Sequence, residues 1–410
     1  VASRGLGDVY KRQPIFSNGT AVINPGAISV TSGVSITVSP TVNTQYFLDV
    51  TNLAGTVGSY NMTLFVSTGT FSITGNLTAG HDLHSSTLLN NGKVLIAQSY
   101  SSNLSNAQLY DPSTGSFTNT GNLVNGYGRP FGKATKLSNG NVLFTGGSTT
   151  SGNNTNTAEI YDVSSGTFSL TTGNMSLGRQ DHIAVLLNNG KVLISGGYNY
   201  SSSYLSSAQL FDPGTSTFSN INSMGTERSK HTATLLDDGT VLIVGGYNSS
   251  TGYLSTAEIF NPSDNTFSAT YGNMFEPRGN HTATKLNNGK VLIVGGVNQV
   301  GVYHSLQTAD LYDPTTKTFT KLPSINGNRS LHTATLLNNG KVLITGGSSL
   351  AGSIYDDGIL FDPTTNTFST EANHMAHWRY YHSACLLPNG TVLITGGTST
   401  NSSAEIYDPH

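Results

Sequence analysis

The chain has 410 residues, only 10 % of them charged, and a formal net charge of −3 at pH 7. Its polarity comes from Ser, Thr and Asn beside 47 glycines, which leaves few helix formers and points to an all-β fold rich in turns. With no Lys/Arg-rich block no nucleic-acid partner is expected, no apolar run reaches the ~18 residues of a membrane span, and the lone Cys385 excludes a disulfide framework.

The first thirteen residues stand apart. "DVYKRQ" (8–13) back-translates to GAT GTG TAT AAG AGA CAG, which resembles the transposase mosaic end used to build sequencing libraries, so 1–13 is read as a library scar and not as native sequence. Residues 14–66 then alternate apolar and polar positions in short runs broken by Gly, Pro and Asn, the pattern of several β-strands. The runs at 35–40, 44–52 ("TQYFLDVTN") and 60–67 resemble the second half of a bacterial Ig-like sandwich, in which Tyr46 would form a tyrosine corner. About 53 residues stand where such a sandwich takes ~100, so a partial domain acting as a spacer is expected.

From residue 67 one sentence repeats, as in "HTATLLNNGKVLITGG" (332–347). The glycine of its "NG" turn recurs at 92, 140, 190, 239, 289, 340 and 390, in steps of 48 to 51. Each unit predicts four strands. "HTATLL" leads through a two-residue Asn-Gly hairpin, with both residues at positive φ, to "KVLIVGG", whose consecutive apolar residues require cover on both faces. "AEIYDP" follows, stopped by Asp-Pro, and then "TFS", with its aromatic at 71, 117, 168, 218, 267, 319 and 368. The first "TF" precedes the first hairpin and the chain ends at "AEIYDPH". A strand from residues 69–74 would therefore complete the last unit and close a ring, leaving no open edge.

A period near 50 with a double glycine, a "YDP" aromatic and a fourth-strand aromatic resembles the Kelch family, including the central domain of galactose and glyoxal oxidases. The resemblance covers 67–410 and implies a seven-bladed β-propeller of four-stranded blades. Two departures are visible: Phe stands where Kelch repeats usually carry Trp, and Gln98-Ser99 replaces the double glycine in blade one.

Six blades place a histidine at the head of the first strand (84, 182, 231, 281, 332, 382), with Gly132 in blade two. Six carry an arginine three residues earlier (129, 179, 228, 278, 329, 379), with His81 in blade one. Residues that follow the period of the fold belong to the bonding of the blade, and imidazoles on sheets ~10 Å apart cannot share one zinc. "WRYYHSACLLPNG" (378–390) is similar to the copper segment of galactose oxidase, and by that match Tyr381 and His382 would be ligands. Against it, no cysteine precedes Cys385 to crosslink a second tyrosine. No metal or other cofactor is expected.

The connections after "GG" run 7, 10, 10, 10, 12, 10 and 6 residues, diverge in sequence, and share one face with the "RxxH" approaches. Variable loops on a rigid scaffold are where recognition sits, and Tyr, Ser, Asn and Gly are the residues it uses. The candidate ligand-binding residues are Trp378, Arg379, Tyr200, Tyr204, Tyr253, Tyr303, Arg179, Arg228, Arg278 and Arg329. The expected function is a non-catalytic recognition module, secreted or on a cell surface, for an extracellular glycan or protein. The alternatives are a copper-radical oxidase and a purely structural stalk unit.

Overall fold

The computed structural model describes residues 10–12, 19–24, 28–30, 36–38, 44–52, 57–64 and 69–409, without 101–104, 150, 301 and 399–400. For most residues of the strands before 65, and for 300, 302 and 303, only the backbone is described. The chain divides into two compact units, 1–70 with 408–410, and 71–407.

In the first unit, Gly19–Asn24, Ile28–Val30, Thr44–Asn52 and Val57–Leu64 form an antiparallel sheet with Gly19–Asn24 and Thr44–Asn52 at its centre. Tyr10–Arg12, inside the stretch read as a scar, pairs with Ile36–Val38. Tyr46 stands opposite Met62; its side chain, and with it the expected tyrosine corner, lies outside the described residues.

The second unit is a seven-bladed propeller of four-stranded antiparallel sheets. The first strands of successive blades neighbour one another around the axis, from Ser85–Leu88 and Lys133–Lys136 to Ser383–Leu386, which meets Ser85–Leu88 again. The last blade takes its fourth strand, Thr70–Ile73, from the start of the repeat region. Thr74 donates its N–H to the Ala404 carbonyl at 3.0 Å, and the Phe71 ring lies 5.0 Å from that of Tyr407. The same aromatic pair, third strand to fourth, recurs in all seven blades at 4.9–5.0 Å.

The unbroken apolar second strands have a direct explanation. In Val291–Val294, Val291 and Ile293 pack toward the fourth blade while Leu292 and Val294 pack toward the sixth. Alternation is present, but both faces are covered, so both sets are apolar. Seven such clusters, one per junction between blades, make up the core.

The inner hairpin departs from expectation. Leu89 donates to the Lys93 carbonyl and Gly92 to the Leu89 carbonyl, at 2.8 and 3.1 Å, so the loop holds three residues. Gly92 has φ +81° while Asn91 is not among the positive-φ residues. This is a type I turn closed by a left-handed glycine, the other geometry that suits the twist of a hairpin. Asparagine keeps negative φ because its Oδ1 accepts the Lys93 N–H at 3.1 Å. The Asp-Pro turns behave as the sequence predicts: Asp212 Oδ1, for example, accepts the Gly214 N–H at 2.9 Å.

Candidate functional site

The periodic histidines act as latches between blades. His84 Nε2 lies 2.8 Å from Thr395 Oγ1, His182 Nε2 2.9 Å from Thr145 Oγ1, and His281 and His332 reach Thr232 and Thr282 at 2.8 and 2.9 Å. Each reaches back to the preceding blade, where its ring covers the first of the two glycines. A Cβ on Gly196 would stand 2.6 Å from His231 Cε1, and one on Gly245 2.7 Å from His281 Cε1. The double glycine is therefore the floor on which the next histidine rests. Burial holds these imidazoles neutral, pulling His84 and His332 down to about 3.

The arginines are braces within blades. Arg228 donates Nη1–H to the Gly245 and Thr256 carbonyls at 2.7 and 3.2 Å, and Nη2–H to Glu258 at 2.8 Å. Arg278 pairs with Asp310, Arg329 with Asp357, and Arg379 with Glu405. In blade three Gln209 stands where blades two, four, five and seven carry the acid; burial alone pulls Arg179 down to about 10, so it stays charged at neutral pH. By sequence alone, Arg179, Arg228, Arg278, Arg329 and Arg379 stand among the candidate ligand contacts. The structure places all five at 0 % exposure, with their Nη donors turned on their own blade. The signal that would have found this role is the acid or amide that follows Ala in six of the seven third strands.

The tyrosine candidates divide. Tyr200 (71 %) and Trp378 (53 %) are exposed. Tyr204 is half-buried, Tyr253 is buried, and the side chain of Tyr303 lies outside the described residues. The loops that carry them are ordered hairpins: Tyr198–Asn199 pairs with Ser203–Tyr204, Tyr247–Asn248 with Gly252–Tyr253, and Val297–Val300 with Val302–Ser305. Five rings form a continuous ladder across blades three and four, with Tyr200–Tyr198, Tyr198–Tyr204, Tyr204–Tyr247 and Tyr247–Tyr253 centroids 6.4, 5.2, 5.3 and 5.0 Å apart. Trp378 stands apart from it, on the approach to blade seven.

Sequence reasoning singled out Tyr381 only as an implied copper ligand and missed the set to which it belongs, the residues directly before the latch positions: Leu83, Phe131, Asp181, Lys230, Asn280, Leu331 and Tyr381. All seven have φ between +52° and +61°. Their backbones hand a hydrogen bond around the axis: Asp181 N–H to Phe131 O (3.0 Å), Lys230 to Asp181 (3.1 Å), Asn280 to Lys230 (3.1 Å), Leu331 to Asn280 (3.4 Å), Tyr381 to Leu331 (3.2 Å) and Leu83 to Tyr381 (3.1 Å). All seven side chains are half-buried. They form a ring on the long-loop face with an apolar arc over blades six, seven, one and two and a polar arc over blades three to five. The tyrosine hairpins rise from the polar arc, since Tyr198 bridges to Gln180, Tyr247 to Ser229 and Val297 to Gly279, each one residue before a ring member. Crowding raises the pKa of Asp181 by desolvation, against the pull of Lys230 and Lys133. Left-handed φ favours Asn or Gly, so Leu, Phe, Lys and Tyr are not there for the backbone.

A family model, the KLHDC2/KLHL20/DRC7 Kelch-repeats domain, matches residues 132–347. The chain belongs to the Kelch-repeat family. Among solved structures this Kelch propeller is similar to a novel fungal alcohol oxidase with catalytic diversity among the AA5 family, in complex with copper, at 16 % identity over 84 % of this chain and 76 % of that one, TM-score 0.65. It is also similar to YjhT, at 14 % identity over 72 % and 99 %, TM-score 0.58. No curated protein matches its sequence. At these identities the likeness is one of fold.

The copper residues implied by galactose oxidase do not fit a metal here. His382 Nε2 is taken up by Thr333 and Thr345 hydroxyls at 3.0 and 3.2 Å, in the buried latch position. Cys385 is buried and its thiol is pushed up to about 11, away from thiolate chemistry.

Proposed function

We propose that this Kelch propeller is a recognition module that binds another protein across its long-loop face, around the ring of residues that precede the latch positions. The observation that carries the reading is the ring of seven half-buried side chains, which varies from blade to blade while the arginine and the histidine beside it are each kept in six blades of seven. A residue that departs from the period inside a periodic frame is selected for something other than the frame. The split into apolar and polar arcs gives a partner both a hydrophobic seat and directional contacts, and Kelch propellers commonly serve as interaction modules.

A secreted or surface setting, with 14–66 as an Ig-like spacer and 1–13 as a scar, belongs to the same proposal. It is supported by the low charge, the Ser/Thr/Asn-rich composition and the resemblance of 35–67 to Ig-like strands. Among the described residues no helix is long and apolar enough to cross a membrane. The exposed rings of Tyr200 and Trp378 favour a second reading, a glycan stacked on that face.

Placing a photo-crosslinking residue at Tyr381 or Lys230, and separately at Asn389 on the opposite face, tests the proposal. Protein adducts from the ring positions alone are expected. Adducts in equal yield from Asn389 would sink the assignment of the face, and binding to a glycan array without any protein adduct would favour the second reading.

A further inference from the structure

The opposite face carries chemistry of another kind. Six of the seven inner hairpins end in Asn-Gly, at Asn91, Asn139, Asn189, Asn288, Asn339 and Asn389, and all six asparagines are exposed. Glycine lacks the Cβ that would hinder its nitrogen from reaching the preceding side chain, so Asn-Gly is the pair best suited to imide formation. The glycine nitrogen bonds to asparagine Cγ and gives up its proton, and Nδ2 leaves as ammonia. Water then opens the imide to aspartate or isoaspartate.

The folded turn opposes each part of that step. The glycine N–H is engaged in every case, donating to the carbonyl three residues back at 2.9–3.1 Å. The asparagine Oδ1 is engaged as well, accepting the N–H two residues on at 3.0–3.2 Å. A type I turn also holds ψ of its second central residue near 0°, which points the nitrogen past Cγ instead of at it. Blade four shows the shape of one product. Its tip is Asp238-Gly239, and Asp238 Oδ1 accepts the Thr240 N–H at 2.9 Å and its hydroxyl at 2.7 Å. Aspartate fits this seat. Isoaspartate adds a backbone methylene and cannot keep the closing pair.

We propose that the six Asn-Gly tips are deamidation sites gated by opening of the inner hairpins: the fold holds them as amides, and each opened blade acquires a lasting covalent mark. Full conversion would move the net charge from −3 to −9, all on the short-turn face.

The test is incubation of the purified chain in oxygen-18 water at mildly alkaline pH, folded or unfolded in urea, with peptide mass spectrometry that separates aspartate from isoaspartate. Label is expected at all six sites in urea and at least about tenfold more slowly in the folded chain, since reaction goes through the open fraction. Equal rates in the two states would overturn the gating, and unlabelled sites in urea would overturn the assignment of the sites. In Asn339→Asp, which copies the tip of blade four, thermal stability stays close to wild type and deamidation at the other five sites stays slow; strong destabilisation would show that the seat rejects aspartate.

Discussion

A Cβ on Gly132 would stand 2.6 Å from Gln98 Nε2. Blade two lacks the latch histidine, and blade one lacks the double glycine on which that histidine would rest. Gln98, at φ +68°, fills the vacated space from the other side. Two departures that look independent in the sequence are thus one exchange. Gly132→His in the wild-type background is expected to destabilise through the clash with Gln98. Adding Gln98→Gly should restore the latch and the floor together. A double-mutant cycle by urea unfolding should give a coupling of at least about 1 kcal/mol; additive effects would mean that the two positions do not share one space. The buried pairs follow similar logic. Arg129 and Glu159, both 0 % exposed, tie the approach of blade two to its third strand, and losing one partner would leave an enclosed charge.

Each blade is a meander that cannot bury its own faces, so its stability is lent by its neighbours. The closing strand Thr70–Ile73 shows this most directly, because blade seven would otherwise present the edge of Ala404–Asp408. Phe71 packs with Tyr407, Leu343, Leu360 and Val392 in the cluster between blades six and seven. Phe71→Ala is expected to lower the unfolding free energy by about 3–5 kcal/mol, the usual cost of truncating a packed phenylalanine, read from urea denaturation. Unchanged stability would show that the ring is closed by something other than this strand. The exposed lysine–aspartate pairs on the same hairpins, such as Lys93–Asp111 at 3.1 Å, hold far less, as surface ion pairs do.

The whole ring is sensitive to acid because its latches are neutral. His84, His182, His231, His281, His332 and His382 all have pKa values held well below 6.5 by burial first and by nearby cationic or imidazole groups second. Above pH 6.5 both folded and unfolded forms are neutral and no stability is lost. Below it the unfolded chain takes up protons that the folded chain refuses, so stability falls as pH falls, by about 1.4 kcal/mol per unit for each histidine. Six together reach about 8 kcal/mol per unit, comparable to the whole stability of a typical domain. Asp181 and Asp310, whose pKa values are raised, act in the opposite sense but are too few to cancel it. Calorimetry should show the melting temperature dropping steeply between pH 6.5 and 5, with a shallower slope in His281→Asn/His332→Asn. A flat profile would mean that the folded latches accept protons.

The sequence by itself determined the ring. A repeat near 50 residues, apolar second strands and a displaced fourth strand leave seven blades and one closure, because hydrophobic burial has a period that composition cannot hide. Asp-Pro turns and the self-contained role of the histidines were legible for the same reason. Tertiary structure decided the rest. The arginines are buried since their partners lie 26 to 32 residues away, on the third strand or directly before it, a separation that local pattern does not register. Leu83, Phe131, Asp181, Lys230, Asn280, Leu331 and Tyr381 share no one residue type that a repeat would reveal. Only closing the ring sets them side by side, because each blade contributes one member and no stretch of chain contains two.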